Sequence, residues 1–452
     1  MDVKVDSRKI KDGDTFVAIK GITGDGHNYV EDAIKNGAKK VVVENGLYSV
    51  ETLVVDNTRE YLVNYLSENY NNKIKELKLI GVTGTNGKTT SCYLLWQALN
   101  KVGIKTSYIG TIGFYINDKM KDLNNTTPDI LDLYEMFIES VDNGCKFVVM
   151  EVSSHSLSLG RVNGLLFDYV VFTNLTQDHL DYHKNMNDYA LAKQILFRKV
   201  KNDGYAIINI DDYNSDYYLL ADNNNITYGY SIGDYQIIDL QTNINNSAFK
   251  IKCFDKIVEF KSGLIGIHNI YNLLNVIIVL VNEKIDFRKI KEVIGQLYEP
   301  PGRLEKIKLS FGMAIVDYAH TPDAVEKIIN CVKKNCDGIL YTIVGCGGNR
   351  DRAKRPLMGK IATELSDYVI FTSDNPRYEK PIDIINDIIH QLDNKNYEIE
   401  ENREKAIIKG IQKLTKNDIL LVLGKGHEDY QIIGNNKIHF SDKEIILKYI
   451  GR

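Results

Sequence analysis

Leu79-Ile80-Gly81-Val82-Thr83-Gly84-Thr85-Asn86-Gly87-Lys88-Thr89-Thr90 is the stretch whose reading decides the fold. An apolar run enters a loop of glycine, threonine and asparagine, and a helical apolar pattern follows from Thr90 to Val102. Strand, loop and helix in that order open a βαβ unit of a parallel sheet. The loop carries phosphate chemistry. Glycines let backbone N–H groups surround phosphate oxygens, Lys88 brings charge to the terminal phosphates, the Thr89 hydroxyl is suited to Mg²⁺, and the helix N-terminus adds its dipole. Val82 stands where the general GxxxxGK[ST] pattern has its first glycine, so the match is a variant one. Lys88 is expected in an exposed loop.

Working outward, apolar runs at Phe147–Met150, Val170–Phe172 and Ala206–Ile210 read as buried parallel strands, Tyr235–Phe260 as an antiparallel insertion and Asn269–Val281 as a helix. Upstream, strand-like runs at Thr15–Ile19, Lys40–Val43 and Thr52–Val55 surround a helical stretch near Tyr29–Asn36, and the polar run Asn69–Lys78 reads as a linker. Downstream of Pro300-Pro301-Gly302, runs at Met313–Val316, Leu340–Val344, Tyr368–Phe371 and Ile419–Leu423 alternate with helical patterns. The expectation is an α/β protein of three domains, residues 1–78, 79–300 and 301–452. The first is a small α/β unit, the second a phosphate-loop parallel-sheet domain and the third a smaller parallel α/β unit. Pro300-Pro301-Gly302 is a candidate hinge.

Composition narrows the function classes. The 452 residues suit two to four domains, at about 100–200 residues each. A net charge of −4 does not suit a sequence-independent nucleic-acid binder, which needs a basic face. The longest apolar stretch, near Leu273–Val281, falls far short of the roughly 20 residues a membrane span needs, and the first residues show no secretory apolar region. Six cysteines without a CxxC pair fit reduced thiols and a cytoplasmic protein.

Two polar clusters follow strands. Glu151 ends an apolar run, where parallel sheets place nucleotide and metal sites; it is a candidate Mg²⁺ ligand or a helix cap. Asp178, His179, Asp181 and His183 follow the Val170–Phe172 run and could ligate a metal or cap a helix. Lys193 lies in a helical, largely apolar stretch, Tyr189–Phe197, and spacing alone reads it as a solvated lysine.

Gly84–Thr90, Glu151-Val152-Ser153-Ser154-His155, Asn174–His183 with Lys193, Gly266-Ile267-His268-Asn269, Pro301-Gly302-Arg303, Asp317–Pro322 and Gly424–Glu428 occur in an order that resembles the Mur ligases. These ATP-dependent ligases form amide bonds in peptidoglycan precursor assembly. Asp6-Ser7-Arg8 with Gly13–Ala18 resembles the UDP-binding unit of the members that add the third residue, Asn125-Thr126-Thr127-Pro128 their muramoyl-dipeptide segment, and Asp374-Asn375-Pro376-Arg377 the signature of those that add meso-diaminopimelate. Leu159 stands where the family usually has a glutamine.

The resemblance implies a ligase joining meso-2,6-diaminopimelate to UDP-N-acetylmuramoyl-L-alanyl-D-glutamate through an acyl phosphate. It implies ATP as co-substrate, Mg²⁺, and a CO₂-derived carbamate on Lys193, reversing the spacing-only reading of that residue. ATP would meet Gly84, Thr85, Asn86, Gly87, Lys88, Thr89, Thr90, Asn269, Arg303 and Asp317. Metal would meet Thr89, Glu151, His179 and Lys193, with Lys88, Lys193 and His179 in catalysis. The UDP-muramoyl dipeptide would meet Ser7, Asn125, Thr126, Thr127, Ser153 and Arg161. Diaminopimelate would meet Arg350, Asp374, Asn375, Pro376, Arg377, Gly424 and Glu428, with Glu428 facing its distal ammonium. The expected partners are small molecules, with neither nucleic acid nor membrane, and the chain is expected to be a monomer. A ligase for L-lysine or another diamino acid, a folylpolyglutamate-type ligase, and a phosphate-loop switch without ligase chemistry are the competing readings.

Overall fold

The Lys78–Thr83 strand lies at the centre of the largest sheet because every neighbour it could want is apolar: Leu79, Ile80 and Val82 are buried, and parallel strands Phe147–Glu151 and Phe167–Phe172 flank it. The computed structural model describes residues 1–21, 24–117, 119–180, 182–230, 232–393 and 395–450. Among them this sheet has eleven strands. Its middle, from Thr106–Gly110 across to Asn224–Gly229, is parallel. One edge ends in antiparallel Gly113–Ile116 and Lys119–Lys121, the other in the antiparallel meander Tyr235–Thr242, Ser247–Cys253 and Lys256–Ser262. The phosphate loop, Glu151 and Thr173 therefore leave adjacent strands at one end of the sheet, where parallel α/β sheets bind ligands. Helices Lys88–Lys101 and Ile267–Asn282 cover one face and share a core with it.

A four-stranded parallel sheet, Val3–Lys4, Thr15–Val17, Lys40–Val43 and Glu51–Val54, precedes it. Asn69–Lys78, read from sequence as a linker, is instead mostly helix: Thr58–Ile74, whose N-cap Asn57 side chain accepts from the Arg59 and Glu60 amides. Its apolar signal is thin, since only Leu62 and Leu66 are buried apolar residues, yet these join Val3, Val17 and Val42 to the core of the central sheet. Tertiary packing, rather than periodicity, makes this helix.

The third sheet runs Glu305–Lys308, Met313–Asp317, Ile419–Leu423, Leu340–Val344, Tyr368–Phe371 and Tyr397–Ile399, with only the first pairing antiparallel. Helices on both faces give it two cores. Helices Arg403–Lys413 and Asp442–Ile450 are joined by a fully buried pair, in which Arg403 Nε and Nη2 each donate at 2.7 Å to Asp442. The expected α/β architecture is present in these three sheets; a fourth, two-stranded sheet pairs Tyr430–Ile433 with Asn436–His439.

Candidate active site

Two glycines shape the phosphate loop. A Cβ on Gly84 would lie 1.9 Å from Thr173 Oγ1, and one on Gly87 2.8 Å from Asn272 Oδ1; both residues have positive φ. Lys88 is half-buried rather than exposed: its Nζ turns back onto the Gly84 and Thr85 carbonyls at 2.8 Å each. Desolvation lowers its pKa. Asn86 is held by the Asn174 side chain, whose Oδ1 accepts the Asn86 amide at 3.0 Å.

Glu151 is wholly buried and joins two groups of residues. Its Oε2 accepts from Thr89 Oγ1 at 2.8 Å and Thr111 Oγ1 at 3.2 Å; its Oε1 accepts from Tyr108 Oη at 2.7 Å and the Thr111 amide at 2.8 Å. Its backbone carbonyl accepts from Thr127 Oγ1 at 2.9 Å. Thr127 Oγ1 in turn accepts from the Ser153 amide, the Thr127 carbonyl accepts from Arg161, and Thr126 Oγ1 lies 3.1 Å from Thr111 Oγ1. Thr126, Thr127, Ser153 and Arg161 are thus gathered beside the phosphate loop. Asn125 is exposed next to them. Ser7 stays in the N-terminal sheet unit, where its carbonyl accepts from Asn36 Nδ2.

Lys193 is not a solvated lysine. It is 1% exposed, its Nζ donates to the Gly84 carbonyl at 2.9 Å, and it sits 4.4 Å from the Tyr189 ring centroid. Desolvation and the Lys88 charge hold its pKa well below the ordinary lysine value. Tyr189 connects it to a histidine cluster: the His179 and His183 rings lie 6.2 and 5.0 Å from that ring, and His155 lies 4.8 Å from His179. His179 adopts a left-handed φ of 55° and faces Asp178 Oδ2 at 3.4 Å. Desolvation, aided by Lys88 and Lys193, outweighs Asp178 and lowers its pKa. His183 Nε2 pairs with Ser154 Oγ at 2.9 Å, while Asp181 lies outside the described residues. Among the described residues no three His, Cys, Asp or Glu side chains form a ready metal site. The Thr89–Glu151 oxygen pair nevertheless fits Mg²⁺: adjacent ligands of an octahedral ion at about 2.1 Å are separated by about 3 Å, and the ion takes its remaining ligands from phosphate and water.

A cleft of about 830 Å³ runs from the loop to the third sheet unit, lined by Asn86, Gly87, Thr90, Asn269, Arg303 and Asp317 among others. Asn269 Nδ2 donates to the Ile265 carbonyl. Arg303 stacks 4.6 Å from the Tyr318 ring centroid and reaches Thr89 Oγ1 at 3.4 Å. Asp317 accepts the Leu304 and Ala319 amides at 2.7 Å each, and burial raises its pKa against the pull of Arg303. Asp323 closes the cleft from the same side, accepting from Asn86 Nδ2 at 3.0 Å.

A second polar pocket lies in the third unit. Asp374 Oδ1 accepts the Asn375 amide at 2.6 Å, and a Cβ on Gly424 would meet Asp374 Oδ2 at 2.6 Å. Buried Pro376 precedes Arg377, which takes a left-handed φ of 52° and donates to the Gly348 carbonyl at 2.9 Å. Burial and exposed Arg350 lower the Arg377 pKa. Glu428 is not a bare carboxylate: Oε2 accepts from Asn375 Nδ2 at 2.9 Å and from Lys425 Nζ at 3.0 Å.

Three family models match in series: Mur ligase family, catalytic domain over residues 2–78, Mur ligase middle domain over 82–280, and Mur ligase, glutamate ligase domain over 302–426. The UDP-N-acetylmuramoyl-L-alanyl-D-glutamate–2,6-diaminopimelate ligase of Clostridium perfringens is 42% identical, the alignment covering 98% of this chain and 94% of that protein. The chain belongs to the Mur ligase family. A solved structure of a UDP-N-acetylmuramoyl-L-alanyl-D-glutamate–2,6-diaminopimelate ligase is similar to this Mur ligase at a TM-score of 0.71 and 32% identity, covering 99% of this chain and 94% of that one. The MurF ligase of Thermotoga maritima in complex with ADP shares the fold, at a TM-score of 0.68, 18% identity and 94% of each chain.

Reading the sequence of this Mur ligase missed Tyr108 and Thr111, which hold Glu151, because nothing in their spacing marks them. It also passed over Lys425 and Asp323, although both lie within or next to quoted motifs, Gly424–Glu428 and Asp317–Pro322.

Proposed function

We propose that this Mur ligase joins meso-2,6-diaminopimelate to UDP-N-acetylmuramoyl-L-alanyl-D-glutamate at the expense of ATP. The observation that carries the reading is Glu151, which touches the phosphate loop through Thr89 and the dipeptide segment through Thr127. A carboxylate held by Thr126, Thr127, Ser153 and Arg161 would lie beside the terminal phosphate, as acyl phosphate formation requires. Mg²⁺ would be held by Thr89 and Glu151, and a second ion by His179 and a carbamate on Lys193; bound there, they would supply charge neutralisation for phosphoryl transfer.

The chain's own groups do the rest. Lys88 leaves the Gly84 and Thr85 carbonyls for the phosphates. Two lysine nitrogens share the Gly84 carbonyl, an arrangement that disfavours two ammoniums and favours the neutral amine of Lys193, the form that attacks CO₂. Asn269 and Asp317 face base and ribose, and Arg303 the phosphates. In the second step the diaminopimelate amine attacks the acyl carbon and phosphate leaves. Arg377, supported by Arg350, Asp374 and Asn375, pairs bidentately with the distal carboxylate; Glu428 takes the distal ammonium, beside Gly424. The units 1–78, 79–300 and 301–452 act as uridine-substrate, ATP and amino-acid domains, hinged at Pro300-Pro301-Gly302. The chain is proposed to act as a monomer. The six free cysteines, together with the absence among the described residues of a helix able to cross a membrane, support work in the cytoplasm.

Hydroxylamine trapping tests the order of steps. Hydroxamate should form with ATP and the UDP-dipeptide before any amino acid is added. Phosphate release without a trappable acyl group would contradict the scheme.

A further inference from the structure

Lys425 is the pocket's least expected residue. Its side chain is 0% exposed. The Nζ donates to Glu428 Oε2 at 3.0 Å and to Asn375 Oδ1 at 3.3 Å, and lies 5.5 Å from the Tyr430 ring centroid. Asn375 Nδ2 donates to the same Oε2 at 2.9 Å. Among the described residues the other carboxylate oxygen, Oε1, has only a long contact with Tyr430 Oη, at 3.4 Å. One oxygen of Glu428 is thus saturated from behind, and the other is left with acceptor capacity.

We propose that Lys425 is a positioning residue that selects an amino acid with two carboxylates, acting through Glu428. Clamping Oε2 fixes the carboxylate so that Oε1 is presented to a substrate ammonium. The charge it adds works in the same direction. Arg350 and Arg377 balance Asp374 and Glu428, buried Arg403 is balanced by Asp442, and Lys425 adds one positive charge to these groups. An amino acid attacking the acyl phosphate must do so through a neutral amine. Diaminopimelate in that form has two carboxylates and one ammonium, a net charge of −1, whereas lysine in that form is neutral. A pocket with one surplus cation, water-excluded at Lys425, complements the first and not the second. The inference rests on the proposed function.

The test is steady-state kinetics of Lys425→Met with each of the three substrates varied in turn, repeated in a Glu428→Gln background. The KM for diaminopimelate should rise about tenfold or more, with the KM for ATP and for the UDP-dipeptide within about twofold of wild type. The same change in the Glu428→Gln background should add much less, because the two residues act as a unit. Lys425→Gln, which keeps an N–H donor while removing the charge, serves if Lys425→Met does not fold, with the same split expected. An unchanged diaminopimelate KM, an equal rise for all three substrates, or full additivity with Glu428→Gln would overturn the inference while wild-type turnover leaves the proposed function standing. Failure of the wild type to use diaminopimelate would overturn both.

Discussion

The Gly84 carbonyl accepts from two lysines, and each makes a different prediction. Lys88→Ala should lower kcat by about 10²–10³-fold or more with the far-UV spectrum unchanged, since its Nζ donates to the loop carbonyls of Gly84 and Thr85. Lys193→Ala should lose comparable activity but recover part of it with small carboxylates, which replace the anion proposed there; an active, unrescued variant would refute the carbamate. His268 and His427, together with His179 and His320, are lowered by burial and set a pH dependence. Burial depresses His268 to about 4 and His427 to about 3, from 6.5. Both are neutral in the fold and take up protons more readily when unfolded. The stability they confer is fully present above pH 6.5 and is lost as pH falls through the folded values. Urea midpoints should drop between pH 6.5 and 4, and His427→Gln should flatten that drop. At this scale the sequence showed which residues carry chemistry but not their surroundings. Lys193 reads as an ordinary helix lysine by spacing because its burial depends on Tyr189 and on a loop more than a hundred residues away.

At the scale of elements, strands were the most legible feature. Leu340–Val344, Tyr368–Phe371 and Ile419–Leu423 are apolar runs with both faces covered, and their observed bounds equal those read from sequence. The Thr58–Ile74 helix was illegible because its buried face is two leucines wide and the partner is another domain's core. The pairing of Arg403 with Asp442 was invisible for a similar reason: the residues are far apart in sequence, and two helices must pack before they meet. Its consequence is large. Asp442→Ala leaves a buried guanidinium without its counter-charge and should destabilise the third unit by about 3–5 kcal/mol. Chemical denaturation followed by circular dichroism checks this; a loss below about 1 kcal/mol would show that the pair is dispensable.

For the whole molecule, the second and third sheet units meet at the phosphate loop, and the first packs against the second. Arg303 and Asp323 reach it from the third unit, and helix Thr58–Ile74 and the Arg59–Asp129 ion pair, at 2.7 Å, tie the first unit to the second. A ligation with three substrates needs such convergence, because acyl phosphate and amine must meet with water excluded. Motif order along the chain points to three units, whereas the contacts joining them depend on folding. The central claim is the choice of amino acid, which rests on Arg377 and its fixed backbone. The direct measurement is phosphate release with ATP, the UDP-dipeptide and either meso-diaminopimelate or L-lysine, for the wild type and Arg377→Ala. A site built to pair a carboxylate rejects an analogue lacking it by as much as about 10⁴-fold in kcat/KM. The account predicts strong wild-type preference for meso-diaminopimelate and its collapse in Arg377→Ala; equal use of lysine by the wild type, or an unchanged preference in the variant, would contradict it.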